Sequence, residues 1–261
     1  MPLSDVLIVV PTLGQRLGHL RDCLASINIQ DPAPSIVLVG PDAPEIRTLA
    51  SDFGAIWVPD PGSQTKAIND GVATASSHIK YVNWLGDDDL LEPGAISATR
   101  DALEADPSAT VAYGSCRYID ESGSPLWVNS AGSWASRILS WGPDLIPQPG
   151  MLVRLSAWNL VAGVDESYRF AFDLDLLLKL KRIGPLIDVG QIVSSFRWHP
   201  DSLTVGDRAT NLAESERAKR NALSPRMRPV AWVWEKPVRG ATRIAAWEVS
   251  RRAQRASGRR P

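Results

Sequence analysis

The chain has few of the residues that mark secreted or membrane-spanning proteins. Only two of its 261 residues are cysteines, Cys23 and Cys116, and neither lies in a metal-ligand spacing, so we expect no disulfide framework. No apolar run approaches the roughly 20 residues that a membrane-spanning helix needs. No basic region precedes an apolar segment near Met1, so we expect no secretory leader. These absences favour a globular protein of the reducing cytoplasm, with both cysteines buried as small apolar side chains.

Positive charge is scarce until the last part of the chain, although the formal net charge is −1. Residues 217–261 contain 13 Lys and Arg residues against 2 Asp and Glu residues, whereas residues 1–216 contain 15 against 27. In this basic tail Ile244, Trp247 and Val249 alternate with arginines, as in a short amphipathic helix. Such a helix could lie on the anionic inner face of a membrane as a peripheral contact, or dock on an acidic protein surface. No nucleic-acid-binding motif is present, so we expect no nucleic-acid partner.

Short apolar runs alternate with helical spacing over the first part of the chain, as in βαβ units. The pattern predicts strands at 6–10, 36–39 and 55–58 and helices at 17–29, 45–53 and 66–75. It therefore predicts an α/β fold with a mostly parallel central sheet flanked by helices. Ligands bind at the carboxyl ends of strands in such sheets, so Pro11, Thr12, Asp42 and the acids at 87–89 are expected to converge.

The second part of the chain is less regular. We predict helices at 96–103, 156–161 and 173–183 and strands at 110–118, 151–153 and 187–197. Residues 120–150 are rich in Gly, Ser, Pro and Trp, and we expect an irregular loop there. A long loop inside a compact domain is usually functional.

Three consecutive carboxylates, Asp87, Asp88 and Asp89, directly follow the apolar segment 79–85. Packed together they repel each other, and a divalent cation relieves that repulsion. Hard oxygen donors suit Mg²⁺ or Mn²⁺, which fill their remaining positions with water and substrate phosphates. The alternative is an acidic N-terminus of a helix that begins near Leu90. The run on its own leaves both interpretations open.

Five motifs follow one another in a characteristic order: Val9-Val10-Pro11-Thr12; Gln64 to Gly71; Trp84 to Asp89 with Pro93-Gly94; Pro147 to Gly150 with Gly163 to Glu166; and Phe172 to Leu176. In this order they resemble the inverting glycosyltransferases of family 2, which have the nucleotide-sugar-binding fold called GT-A. The resemblance covers roughly residues 5–205.

The resemblance implies a GT-A domain over residues 1–208, with a nucleotide-binding half at 1–97 and an acceptor half at 98–208. A basic, helical C-terminal extension would follow at 209–261. The implied activity is metal-dependent, inverting transfer of a sugar from a nucleoside-diphosphate sugar to a hydroxyl of a glycan, lipid-linked or protein acceptor. UDP is the default nucleotide, with GDP and dTDP open, and the implied cofactor is Mn²⁺ or Mg²⁺.

The resemblance also implies roles for particular residues. Asp88 and Asp89 would hold the metal, with His199 as a further ligand or as a packed, hydrogen-bonded side chain. Asp173 matches the position of the base, and its neighbour Phe172 could raise its pKa. Asp175 would instead point toward Lys179 at i+4. The residues implied to contact the nucleotide-sugar are Pro11, Thr12, Asp42, Lys66, Asn69, Asp87 and Asp88.

Two departures from the family's pattern keep other functions open. Gly40-Pro41-Asp42-Ala43 stands where the family usually has Asp-Asp-Gly-Ser, and Gly86 replaces a frequent acid. These departures favour a degenerate module that binds nucleotide or glycan without catalysis. A metal-dependent phosphohydrolase or nucleotidyltransferase would need basic residues and a second ligand set around residue 88, where the sequence is poor in both.

Trp127, Trp134 and Trp141 could stack on sugar rings or close the core, and we favour closure for two of the three.

Overall fold

The computed structural model describes residues 4–130, 132–198 and 208–224, together with Arg228 and Gly240. The strands are β1 (Val6–Pro11), β2 (Ser35–Gly40), β3 (Ile56–Pro59), β4 (Tyr81–Trp84), β5 (Leu90–Leu91), β6 (Val111–Ile119), β7 (Pro125–Asn129), β8 (Leu152–Arg154) and β9 (Leu186–Arg197). The helices are α1 (Leu17–Asn28), α2 (Pro44–Asp52), α3 (Gln64–Ala73), α4 (Ala95–Ala105), α5 (Trp134–Ile138), α6 (Leu155–Leu160), α7 (Phe172–Lys181) and α8 (Arg208–Ala222).

The described strands form one sheet in the order β3-β2-β1-β4-β8-β6-β9-β5, with β7 paired to β6. Strands β1 to β4 are parallel, as are β6 and β9, whereas β8 runs antiparallel to both of its neighbours. The predicted α/β class with a flanked, mostly parallel central sheet is confirmed. Because β1 pairs in parallel with β4, the loops that follow these two strands leave the same edge of the sheet.

Helices cover both faces of the sheet because its central strands are apolar on both sides. In β1, Leu7 and Val9 belong to the core beneath α3, α6 and α7, while Ile8 and Val10 belong to the core beneath α1, α2 and α4. Both cysteines are buried with free thiols, as predicted. Two separate apolar cores therefore fix the strand ends against helices on either side.

The helix predicted at 96–103 is α4, but the alternative of a helix that begins near Leu90 was wrong. Leu90 and Leu91 instead form β5, which pairs with β9. The 120–150 segment contains β7 and α5 and is less irregular than expected. Trp127 stacks on Tyr118 with ring centroids 4.3 Å apart, but Trp134 and Trp141 are 51% and 53% exposed, so closure of the core by two of the three was wrong.

Helix α8 covers residues that were expected to begin the C-terminal extension. It packs against α7, and its Ala218 is buried in the core shared with α7. The domain limits at 97/98 and 208/209 stay predictions, as does the amphipathic segment around Trp247, which lies outside the described residues. Among the described helices, none combines the length and apolar character needed to cross a membrane.

Candidate functional site

The expected meeting of Thr12 with the acidic run occurs where β1 and β4 end. The Thr12 hydroxyl donates to Asp87 Oδ2 at 2.5 Å and accepts from the Gly14 amide at 2.9 Å. Burial raises the pKa of Asp87, the Thr12 hydrogen bond opposes that shift, and the charge of Asp88 adds to it. A threonine turn and an acidic turn thus face each other at one sheet edge.

Two arginines that are distant in sequence hold the acidic run. Arg16, just before α1, pairs with Asp88 Oδ2 at 3.2 Å. Arg197 ends β9 and is 3% exposed; its Nε donates to the Asp88 carbonyl at 3.1 Å and its backbone amide to Asp89 Oδ1 at 3.0 Å. The sequence motif around Arg197 predicted a role for His199. In the structure it is Arg197 that contacts Asp88 and Asp89. The sequence near residue 88 is poor in basic residues, but the fold brings two arginines to Asp88 from distant positions in the chain.

Asp89 is the most enclosed acid of the run, at 4% exposed. Burial raises its pKa well above the ordinary value, the charge of Asp88 raises it further, and the Arg197 amide opposes the shift. Burial and the charges of Asp89, Asp87 and Asp88 also raise the pKa of the Cys23 thiol, which donates to the Gly86 carbonyl at 3.3 Å. The three aspartates at this turn carry more negative charge than the two arginines balance, and binding of a proton or a cation would reduce the repulsion between them.

The donor set at this turn fits a cation that takes part of its coordination from a ligand. Within the described ranges, there is no cluster of three or more His, Cys, Asp or Glu side chains that could hold a metal ion without further ligands. The carboxylates of Asp88 and Asp89 offer hard oxygens, and Mg²⁺ or Mn²⁺ is commonly held by one or two carboxylates plus phosphate and water. His199 lies outside the described residues, so its role stays a prediction.

The packing around residue 86 explains why a glycine stands there. A Cβ at that position would lie 2.8 Å from Asp89 Oδ2 and 3.4 Å from Asp88 Oδ1. The carboxylate of Asp89 therefore occupies the space that a side chain at residue 86 would need. Glycine at residue 86 thus leaves room for the third aspartate of the run.

Two residues predicted to contact the nucleotide sugar form ion pairs with residues four or five positions along the chain. Asp42 is exposed and accepts from Arg47 Nε at 2.9 Å, while the Arg47 guanidinium lies 3.4 Å from the Trp57 ring centroid. Lys66 donates to both carboxylate oxygens of Asp70 at 2.9 and 2.8 Å. Their roles toward a nucleotide stay predictions, and a ligand would have to compete with these ion pairs.

Asn69 connects the first half of the chain to the second. Its amide nitrogen donates to the Val164 carbonyl at 2.9 Å and to Glu166 at 3.0 Å, and its amide oxygen accepts from the Val164 amide at 3.1 Å. Gly163 has φ +70°, and a Cβ there would lie 2.6 Å from Asn69 Oδ1. The Asn69 motif and the Gly163-Val164 motif therefore form one contact.

The candidate base, Asp173, lies in the first turn of α7 and is partly buried. Burial raises its pKa above the ordinary value, against the backbone amide of Leu174, which donates to Asp173 Oδ1 at 2.7 Å. The neighbouring Phe172 ring packs against Trp84, with centroids 5.8 Å apart. This contact ties the start of α7 to the strand that delivers the acidic run.

Asp144 is a second acid beside Asp173 that no sequence motif indicates. Burial raises its pKa and the charge of Asp173 raises it further, while the Ile146 amide and Lys219 lower it. It lies in the Gly-, Ser- and Pro-rich segment, where hydrophobic periodicity carries no signal. Asp175, by contrast, forms the expected i+4 ion pair with Lys179 at 2.7 Å. The part of the described chain after residue 97 therefore presents a pair of acids, Asp144 and Asp173.

Comparisons with known proteins bear on this geometry. No family model matches the chain. Chondroitin synthase of Escherichia coli is 27% identical over 147 residues, which are 52% of this chain and 21% of that protein. S. aureus TarS 1-349 in complex with UDP-GlcNAc superposes with a TM-score of 0.62 at 13% identity over 84% of this chain and 66% of that chain. Mannosyltransferase PcManGT from Pyrobaculum calidifontis, in complex with GDP-Man and Mn²⁺, has a TM-score of 0.63 at 15% identity over 94% and 76%.

These likenesses show that the chain has the GT-A fold. Together with the sequence similarity to chondroitin synthase, they confirm the predicted resemblance to glycosyltransferases of family 2 type. The chain spans about a fifth of the length of the curated relatives it matches.

Proposed function

We propose that the chain transfers a sugar from a nucleoside-diphosphate sugar to an acceptor hydroxyl, with inversion and with Mn²⁺ or Mg²⁺ as cofactor. One observation carries the proposal. The buried Asp89 lies in the turn that follows β4, the partly buried Asp173 lies in the first turn of α7, and the contact between Trp84 and Phe172 joins β4 to α7. Under-compensated carboxylates of two separate segments thus serve two different parts of one reaction.

The donor binds at the edge where β1 and β4 end. Pro11, Thr12 and Asp87 lie there, next to Asp88 and Asp89. A divalent ion held by Asp88 and Asp89 would neutralise charge on the leaving diphosphate. UDP-GlcNAc and GDP-Man in the two similar structures support a nucleotide-sugar donor, with UDP as the default nucleotide.

Asp173 is the base. Its carboxylate takes the proton of the acceptor hydroxyl while the oxygen forms a bond to the anomeric carbon. The bond to the diphosphate breaks on the opposite face, so the configuration inverts. Because burial raises the pKa of Asp173, its carboxylate holds that proton more strongly than an exposed aspartate would.

The acceptor side favours a glycan. Trp141 is 53% exposed and lies three residues before Asp144, so its backbone is within about 10 Å of that acid along the chain. Exposed indole rings suit the apolar faces of sugars. The sugar rings of a glycan attached to a lipid or to a protein would present the same apolar face to Trp141.

The test is nucleotide release from a panel of nucleotide sugars, with water or a glycan as acceptor. We expect Asp173→Asn to lower kcat on the order of 100-fold or more, since general base catalysis contributes at least that much. Asp175→Asn, two residues along the same helix, should retain kcat. Equal activity of Asp173→Asn and the wild type would contradict the assignment. Binding without turnover in the wild type would instead support a degenerate binding module.

A further inference from the structure

Helix α8 is held to the acceptor side mainly by polar contacts. Ala218 is buried, but most of the described side chains of α8 are at least partly exposed. Arg217 donates to the Ser167 carbonyl at 2.9 Å and lies 3.8 Å from the Tyr168 ring centroid; Asn221 donates to the Tyr168 hydroxyl at 3.3 Å. A helix with so little apolar burial is kept in place by specific partners, and these partners lie around the start of α7.

Glu214 of α8 caps the turn that leads into α7. Its carboxylate accepts from the backbone amides of Arg169 at 3.0 Å, Phe170 at 2.7 Å and Ala171 at 3.1 Å. The N-cap residue of α7, Ala171, makes no side-chain cap of its own. Partial burial raises the pKa of Glu214, but the three amides outweigh it and hold the pKa below the ordinary value. Glu214 thus supplies, from another helix, the cap that fixes the residues just before Asp173.

Lys219, five residues further along α8, holds the second acid-bearing segment. Its ammonium donates to the Gly142 carbonyl at 2.5 Å, two residues before Asp144. On the other side, Lys181 of α7 donates to the Arg137 carbonyl at 3.3 Å and to the Ser140 hydroxyl at 3.2 Å. The 137–144 segment is therefore fastened to both α7 and α8.

We infer that α8 is a positioning strap, in which Glu214 and Lys219 hold the two segments that present Asp173 and Asp144 to the acceptor. The inference rests on the proposed function of Asp173 as the base. Neither Glu214 nor Lys219 contacts the acidic run at 87–89 in the described structure, so the strap acts on the acceptor side alone. Displacing the base by even about 1 Å lowers the rate strongly, because the proton transfer requires hydrogen-bond geometry.

The experiment compares Glu214→Ala, Glu214→Gln and Lys219→Met with the wild type. Glu45→Ala is the matched control, because Glu45 is an exposed glutamate in the first turn of α2. Amide hydrogen exchange of residues 169–173 reports the cap without any need for activity. Metal-dependent nucleotide binding reports the donor side, and kcat and donor KM for nucleotide release report catalysis.

We expect Glu214→Ala to speed exchange of the Arg169 to Ala171 amides and to lower kcat about tenfold or more, with donor KM unchanged within about twofold. Glu214→Gln, which keeps one acceptor oxygen, should recover part of kcat, and Lys219→Met should lower kcat with the donor KM unchanged. Glu45→Ala should match the wild type in all three measurements.

Two results would overturn the inference: unchanged exchange at residues 169–171 in Glu214→Ala, or faster exchange with unchanged kcat. A wild type that binds no nucleotide would contradict the proposed function and the catalytic part of the inference. The exchange data would still report separately whether Glu214 caps α7.

Discussion

At the scale of single residues, the site is built from carboxylates that ionise less readily than free aspartates. Burial raises the pKa of Asp87, Asp89, Asp144 and Asp173, and neighbouring acids add to the shift at the first three. Such groups cost stability when charged, and carboxylates with raised pKa values of this kind cluster at functional sites. The acids at the sheet edge suit a cation, which we propose Asp88 and Asp89 hold, and Asp173 in α7 suits the proton of the acceptor hydroxyl.

The raised pKa of Asp173 predicts a pH-dependent gain in stability on its replacement by Asn. Its folded-state pKa lies above its unfolded value, so its contribution to stability is fully present below the unfolded pKa. That contribution is lost as the pH rises through the folded pKa. Asp173→Asn should therefore raise Tm at about pH 8, by roughly 2–4 °C per kcal/mol recovered, and much less at about pH 4. Thermal unfolding at both pH values checks this, and an equal effect at the two would contradict it.

A methyl group at residue 86 tests the close packing of the acidic run. A Cβ there would approach Asp89 Oδ2 to 2.8 Å, so Gly86→Ala must displace that carboxylate. We expect metal-dependent nucleotide binding to weaken about tenfold or more, since carboxylate position determines metal affinity.

The control for this substitution is Gly18→Ala in α1, where a Cβ meets nothing within 4 Å. It should leave binding unchanged and stabilise the helix by roughly 0.5–1 kcal/mol. Titration calorimetry of both variants gives the comparison, and equal binding by Gly86→Ala and the wild type would show that Asp89 is not a ligand.

At the scale of secondary-structure elements, β9 and α8 each bring a charged side chain to one part of the site. Strand β9 brings Arg197 to the acidic run, and α8 brings Glu214 to the start of α7. Apolar periodicity predicted most strands and helices, because runs such as 6–10 are buried on both faces. It could not predict β5, β7 or the partners of α8, because these depend on pairings between distant segments. For the same reason Arg16, Arg197 and Asp144 were not assigned to the site.

Arg197 is predicted to stabilise the acidic run through a geometry that lysine cannot reproduce. Its guanidinium donates to the carbonyls of Asp88 at 3.1 Å, Asp120 at 3.1 Å and Glu121 at 2.9 Å. Arg197→Lys should lose about 1–3 kcal/mol of unfolding free energy and should also weaken metal-dependent nucleotide binding.

Arg154 is the matched control for this change. It likewise donates to three carbonyls, those of Ala109 at 2.9 Å, Leu103 at 2.7 Å and Asp106 at 3.3 Å, away from the acidic run. Arg154→Lys should lose comparable stability and retain binding. Urea unfolding and calorimetry of both variants check this, and parallel losses of binding would assign Arg197 a general role in the fold.

At the scale of the whole molecule, the strands before and after residue 97 belong to one sheet, because β4 pairs with β8. Two of the further contacts between these parts are the Asn69 amide on Val164 and the Trp84 ring on Phe172. Each lies within a motif that the resemblance had singled out. The sequence therefore predicted the fold and the place of the acidic run at the sheet edge, because strand ends and short motifs locate them, whereas the roles of Asp88, Asp89 and Asp173 stay predictions. It did not predict how the acidic run is connected to Asp173, because Asn69 and Trp84 contact residues about 90 positions away.

The most direct test of the central claim is a thermal-shift measurement of UDP, GDP, dTDP and CDP, each with Mn²⁺, Mg²⁺ or EDTA, on the wild type and Asp89→Asn. The proposed site predicts that one nucleotide raises Tm with a divalent ion, that EDTA removes the rise, and that Asp89→Asn abolishes it. At 100 times Kd the stabilisation should be about 2.7 kcal/mol. An absence of any shift, or a shift that persists in EDTA and in Asp89→Asn, would contradict a metal-dependent nucleotide-sugar site at this edge of the sheet.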